Sequence, residues 1–312
     1  MAVYTVVTAE ALTDLLTLYD LGHLVSAKGI AEGVENTNYM IDTTRGRYIL
    51  TLYEKRVDAA ELPFFTALLD HLADHDLPVP RALRDRSGIQ LQKVAGRPAC
   101  LIEFLPGISV TEPTPEHARA TGAALGAMHA ALADFTLSRP NTLGLAEWHA
   151  LAARCGASLD AIQSGLHARV DAELRWLDQN WPADLETAVI HADLFPDNVL
   201  MRGSKVGGVI DFYFACTEVR AWDIAVAHSA WCFDTDGRSF QPAIGEALIA
   251  GYGETFGLSA AEHAALPALQ RGSCLRFLLT RAWDWVNTPP SALVQRKDPL
   301  AFLRRLDHYA ST

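Results

Sequence analysis

Cysteine is scarce in this 312-residue sequence, and its five copies are scattered. Cys100, Cys155, Cys216, Cys232 and Cys274 are odd in number and never stand in C-x-x-C spacing. That argues against a zinc framework or a disulfide scaffold, and predicts buried thiols in a reducing cytoplasm. Long apolar runs are missing too: no stretch approaches the roughly 18 uninterrupted residues of a membrane span. The N-terminal stretch holds Glu10, Asp14 and Asp20 with no basic leader before an apolar run, unlike a secretory signal. Basic charge is the third shortage. With 26 Lys and Arg against 37 Asp and Glu, the formal net charge is -11, which would repel nucleic-acid phosphates at long range. No basic amphipathic stretch points to a membrane surface. A nucleotide is not excluded, because a divalent cation and backbone N–H groups neutralise a triphosphate locally. The sequence also has no G-x-x-x-x-G-K-[ST] loop and no G-x-S-x-G elbow.

What is present suits a soluble globular chain, with 50% hydrophobic and 20% charged residues and enough length for two lobes, each with a core. Leu12, Leu15, Leu16 and Tyr19 recur at helical spacing. Residues 26–42 read as two short strands around a turn rich in Gly, Glu and Asn, and residues 47–53 as a third strand. A helix over 58–75 must end before Pro78 and Pro80. Strands return at 80–83, 89–94 and 97–104. Leu105-Pro106-Gly107 breaks the sheet pattern, and beyond Thr114 the spacing is mostly helical. The expected organisation is therefore an N-terminal domain, 1–105, and a helical domain, 106–312. In the helix predicted over 115–135, Gly122 to Gly126 are small residues suited to close helix packing. His129 there reads as a core histidine satisfied by neighbours.

One constellation carries chemistry. His191-x-Asp193 is followed five residues later by Asn198, and then by the apolar run Gly208-Val209-Ile210 that ends in Asp211. That is the spacing a phosphotransferase uses to set one carboxylate at an acceptor hydroxyl, with an amide and a second carboxylate on magnesium. Phosphoryl transfer through a loose transition state needs positioning more than a strong base. Asp193 therefore orients the hydroxyl and takes its proton late. Asn198 and Asp211 offer hard oxygen ligands to Mg2+. His191 is a catalytic-loop residue whose preferred role is holding the loop by hydrogen bonds. Asp197 reads as a turn residue. Asp223, at the start of a further helix, can cap that helix or brace the loop. Gly29 and Gly33 would let a turn close over phosphates.

Together these stretches resemble the aminoglycoside phosphotransferase and choline kinase superfamily from about Lys28 to Asp223. His191-Ala192-Asp193-Leu194-Phe195-Pro196-Asp197-Asn198-Val199-Leu200, with Gly208 to Cys216, is most similar to the bacterial homoserine kinases of that superfamily. Glu35-Asn36-Thr37-Asn38-Tyr39, Tyr48 to Glu54 and Leu275 to Arg281 extend the likeness towards both ends. The resemblance implies an α+β, bilobal protein-kinase-like fold, with a small antiparallel-sheet N-lobe and a larger, mainly helical C-lobe. It implies ATP and Mg2+ as cofactors and O-phosphorylation of L-homoserine in threonine biosynthesis.

It also implies site residues. Protein kinases carry a lysine on the third strand to hold the phosphates; here Thr51 stands at that place. Lys28, beside the glycine turn, is the expected substitute, and Glu61 fits the position that would pair with the missing lysine. Glu103 and Leu105 of the hinge segment would meet adenine, with Ile49 and Val34 as apolar walls. Homoserine carries a carboxylate and an ammonium, which call for an arginine and an acidic group. Arg276, Arg281 and Asp284 supply these at helical spacings, and helix-surface ion pairing explains the same residues equally well. Tyr213 and Trp285 are expected walls. Choline would require an aromatic cage and an aminoglycoside a broad acidic cleft, so an aminoglycoside, choline or sugar alcohol stays open as acceptor. A nucleotide-binding regulatory module without turnover is the reading from another class; the intact Asp193, Asn198 and Asp211 count against it.

Overall fold

Residues 4–30, 36–54, 58–288 and 296–312 are described in the computed structural model. They fall into two compact units: Met1–Pro106 with Gly208–Tyr213, and Gly107–Gly207 with Phe214–Thr312. Gly33 and Val34 lie outside the described residues.

In the first unit Thr8 caps α1 (Ala9–Thr17), its side chain accepting from Ala11 N at 3.2 Å. The strands follow as β1 (Leu24–Ile30), β2 (Thr37–Thr43) and β3 (Arg47–Leu52), then α2 (Leu62–Asp74), β4 (Leu91–Val94) and β5 (Arg97–Glu103). They form one antiparallel sheet in the order β1-β2-β3-β5-β4. Strand alternation sorts the side chains onto two faces. Tyr39, Ile41, Leu50, Leu52, Ala99 and Leu101 bury one face against Leu12, Leu15 and Leu16 of α1 and Tyr19 just beyond it. The opposite face pairs Lys28 with Met40, Met40 with Ile49, Asn38 with Thr51, and Thr51 with Cys100. Two expected strands are shorter than their β-rich composition suggests. Around Pro80 only Ala82 bridges to Ile102, because proline brings no donor to a ladder. The strand expected from Ile89 starts at Leu91, since Asp85 turns the chain by accepting from Ser87 N and Ile89 N.

The second unit opens with α3 (Pro115–Ala131), capped reciprocally by Thr114 and His117. The helical stretch that follows is divided into α4 (Leu145–Cys155), α5 (Ser158–Ile162) and α6 (Leu166–Asn180). Gly156 at φ +48° and Gly165 at φ +79° break it. Short strands β6 (Thr187–Ile190), β7 (Val199–Arg202), β8 (Lys205–Val209) and β9 (Cys216–Val219) form two ribbons, β6 with β9 and β7 with β8. α7 (Ala221–Trp231), α8 (Pro242–Thr255), α9 (Ala260–Asn287) and α10 (Leu300–Ser311) complete it. α7 is buried along its whole length. α3 and α8 approach through glycines: a Cβ at Gly122 would strike the Leu248 carbonyl, and one at Gly251 the Arg119 carbonyl. Among the described residues no helix is long and apolar enough to cross a membrane.

Candidate active site

Ribbon β6–β9 delivers the chain to His191, with Ile190 paired to Cys216. The loop that follows is held at nearly every backbone group. Asp223 of α7 is fully buried, and its carboxylate accepts from His191 N at 2.7 Å and from Ala192 N at 2.6 Å. On the other side of the same residue, Arg276 Nη1 of α9 donates to Ala192 O at 2.6 Å. Ala192 has φ +62°, a left-handed conformation costing an alanine about 1–2 kcal/mol. The charged clamp on its N–H and C=O sustains that conformation. Trp231 Nε1 donates to Leu194 O at 2.9 Å, and the Phe195 ring meets Phe277 edge-on at 4.8 Å.

Within this frame Asp193 is half-buried, one residue past the clamp. Asp193 N donates to His191 Nδ1 at 3.2 Å. That nitrogen is therefore the acceptor, and His191, at 1% exposure, sits as a loop-holding residue. Asn198 Nδ2 donates to Asp193 O at 2.7 Å and to Asp193 Oδ2 at 3.1 Å. This fixes the amide: its nitrogen faces Asp193, so its oxygen is the atom left for a cation. The neutral amide oxygen of Asn198, in the second unit, and the carboxylate of Asp211, in the first, are each by their chemistry a hard donor that suits a divalent metal. Asp211, in the first unit, is exposed and also left-handed, at φ +65°.

Asp223 is braced in turn. Its Oδ2 lies 3.2 Å from His129 Nε2, and His129 Nδ1 is 2.9 Å from the Tyr252 hydroxyl of α8. Burial alone would raise the Asp223 carboxyl; the His129 hydrogen bond, the nearby His129 and His191 rings and the loop amide outweigh it and leave the carboxyl below its usual range. Of the two compatible roles expected for Asp223, cap and loop brace, its oxygens serve the brace, on His191 N and Ala192 N. His129 is the satisfied core histidine that was expected.

The α9 residues separate. Arg276 is 3% exposed, stacks over Phe277 at 4.7 Å and Phe214 at 5.3 Å, and holds Ala192; that placement gives it a positioning role rather than the expected substrate contact. Arg281 lies half-buried over Phe302, with Nη1 3.3 Å from Asp298 O. Burial pushes its guanidinium down to about 10, aided by Arg305, while the charges of Asp197, Asp193 and Asp298 pull it back up. Asp284 lies one turn further on and is half-buried.

In the first unit, Lys28 is exposed on the sheet face that also carries Met40, Ile49 and Thr51. Gly29, beside it, is half-buried, and its side of the strand faces Tyr39. Glu103 N donates to Arg81 O at 3.0 Å and its carboxylate accepts from Arg81 N, so the hinge is tied down at Glu103, two residues before Leu105. Tyr213, expected as a wall of the acceptor site, instead packs edge-on against Tyr53 at 5.4 Å and Phe65 at 5.5 Å.

Residues 26–266 match the family described as Phosphotransferase enzyme family. The chain belongs to that family. It is 57% identical over 311 residues to the homoserine kinase of Zymomonas mobilis subsp. mobilis, covering 99% of this chain and 97% of that one. With the homoserine kinase of Methylorubrum populi it shares 52% identity, over 98% and 95% of the two chains. Among solved structures, amicoumacin kinase hAmiN in complex with AMP-PNP, Ca2+ and Ami has a TM-score of 0.76 at 16% identity, covering 97% of this chain and 93% of that one. Choline kinase from Cryptosporidium parvum Iowa II has a TM-score of 0.68 at 14% identity, covering 97% and 95%. The fold is thus the α+β, protein-kinase-like one, a five-stranded antiparallel sheet with a helical remainder. In this phosphotransferase the sequence left three residues unremarked: Trp231, Tyr252 and Tyr53. Each is an aromatic with one polar atom in an apolar setting, which is the signal that marks a hydrogen-bonding duty.

Proposed function

We infer that the protein is a homoserine kinase, transferring the γ-phosphoryl group of ATP to the hydroxyl of L-homoserine. The observation that carries this is the near full-length identity to homoserine kinases, above 50% in both relatives, over a chain with the loop Asp193–Asn198 intact. Asp193 accepts the hydrogen bond of the acceptor hydroxyl, orients it in line, and receives its proton late in the transfer. Asn198 Oδ1 and the Asp211 carboxylate would hold Mg2+, a divalent ion that suits oxygen donors of this kind. When bound, the ion supplies charge neutralisation at the phosphate oxygens. Lys28 and the backbone at Gly29 and Gly33 serve the phosphates, Ile49 packs on the base, and Glu103 and Leu105 offer it backbone groups. Arg281 takes the amino-acid carboxylate and Asp284, three residues on, the ammonium. His191, Arg276 and Asp223 hold the loop. The five buried thiols suit work in the cytoplasm.

Phosphorus NMR of the protein incubated with Mg-ATP and L-homoserine tests this reading. The expected product is a new phosphomonoester on homoserine. Turnover of choline, kanamycin or methylthioribose in its place, or of no acceptor, would overturn it.

A further inference from the structure

Thr51 occupies the place where protein kinases carry a phosphate-holding lysine, and its surroundings give it a different duty. The side chain is 2% exposed, and its hydroxyl donates to Asn38 Oδ1 across the β2–β3 pair at 2.7 Å. The same hydroxyl contacts the phenol of Tyr213. Tyr213 in turn donates to the Tyr53 hydroxyl at 3.2 Å. Tyr53 is 4% exposed, is pinned to the sheet by its own N–H on Pro98 O at 2.9 Å, and has Cys100 within hydrogen-bonding reach. Phe65 of α2 closes the cluster against the Tyr213 ring at 5.5 Å. A neutral polar cluster, in which Thr51 donates to Asn38 and Tyr213 to Tyr53 with the two hydroxyls of Thr51 and Tyr213 side by side, therefore stands where a charge would be expected.

Tyr213 lies two residues beyond Asp211. The segment Gly208–Tyr213 belongs to the first unit, although the chain on both sides of it belongs to the second. Its near end is fixed by Val209 N donating to Pro78 O at 2.8 Å. Its far end is fixed by the Tyr213 phenol. Asp211, left-handed at φ +65°, sits between these anchors. Two residues of chain reach at most about 7 Å, so whatever fixes Tyr213 constrains the Asp211 carboxylate.

We propose that Tyr213, held by Tyr53 and Thr51, is the positioning residue that aims Asp211 at the divalent cation. The chain has converted its third-strand position from a phosphate contact into a support for the metal ligand. This rests on Asp211 being that ligand. Tyr213→Phe keeps the ring and removes the one atom that reaches Tyr53 and Thr51.

Binding of Mn2+ to the full-length protein with saturating AMP-PNP, followed by the EPR signal of free Mn2+, provides a readout independent of turnover. Tyr213→Phe should weaken Mn2+ binding about tenfold, as loss of a partner behind a metal ligand does. Tyr53→Phe should act in the same direction, and the double variant should be no weaker than the worse single one. Thr51→Val should weaken Mn2+ binding and Thr51→Ser, which keeps the hydroxyl, should restore it; this pair decides the matter if Tyr213→Phe does not fold. Wild-type Mn2+ affinity in folded Tyr213→Phe and Thr51→Val overturns the proposal. Asp211→Asn separates the two levels. Weakened binding there, with none in the tyrosine and threonine variants, sinks this inference alone. Unchanged binding in Asp211→Asn sinks the ligand assignment and this inference with it.

Discussion

Two adjacent backbone amides, His191 N and Ala192 N, end on the single buried carboxylate of Asp223. The pH consequence has a definite sign. The folded-state acidity of Asp223 is depressed below its usual range, so its contribution is present above the unfolded value of about 3.9 and is lost as pH falls through the folded one. Asp223→Asn should cost about 3–5 kcal/mol at neutral pH, by analogy with breaking a buried charged pair. That deficit should shrink below pH about 4. Urea unfolding of both proteins at pH 7 and pH 3 measures it; an equal deficit at both would contradict the charged brace. Asp193→Asn should lower kcat by about 10²–10⁴ while ATP still binds, the range for a positioned proton acceptor. Arg281 stays protonated at neutral pH even with its guanidinium pushed down to about 10. Arg281→Met should therefore raise the KM for homoserine about tenfold to a hundredfold, as loss of a charge-assisted hydrogen bond does, and leave that for ATP alone. The reverse pattern belongs to Lys28→Ala: a raised KM for ATP and an unaltered one for homoserine.

Among the elements, the α3–α8 contact depends on residues with no side chain. Gly122→Ala puts a methyl into the Leu248 carbonyl, and overpacking of this kind costs about 1–3 kcal/mol. A thermal melt should show the loss, and unchanged stability would mean the two helices separate easily. That α3 packs closely was legible beforehand from its small residues, whereas its partner α8 was not. The catalytic loop was legible for a similar reason: Asp193 and Asn198 are five residues apart, and their hydrogen bonds are local. α7 resisted reading, since all of it is buried and no polar stripe marks its orientation. Arg276 was misplaced because its partner, Ala192, is 84 residues away and the pairing exists only once α9 has packed on α7. Tyr213 was misplaced for the same reason. Its partner Tyr53 lies 160 residues earlier, so only the folded chain reveals that it anchors to the sheet.

At the scale of the whole molecule, each unit carries its own set of the residues proposed for the chemistry. The second unit carries the loop of Asp193 and Asn198 with the braces from α7 and α9; the first carries the strand face of Lys28, Ile49 and Thr51 together with the returning segment of Asp211. A net charge of -11 is compatible with this assignment, since a metal ion and local donors neutralise a triphosphate without a basic surface. The central claim is the acceptor. A competition assay, with L-homoserine, choline, kanamycin and methylthioribose offered together to the enzyme and Mg-ATP, tests it most directly. O-phosphohomoserine should dominate the products and disappear in Asp193→Asn. A product mixture led by any other phosphate ester would contradict it.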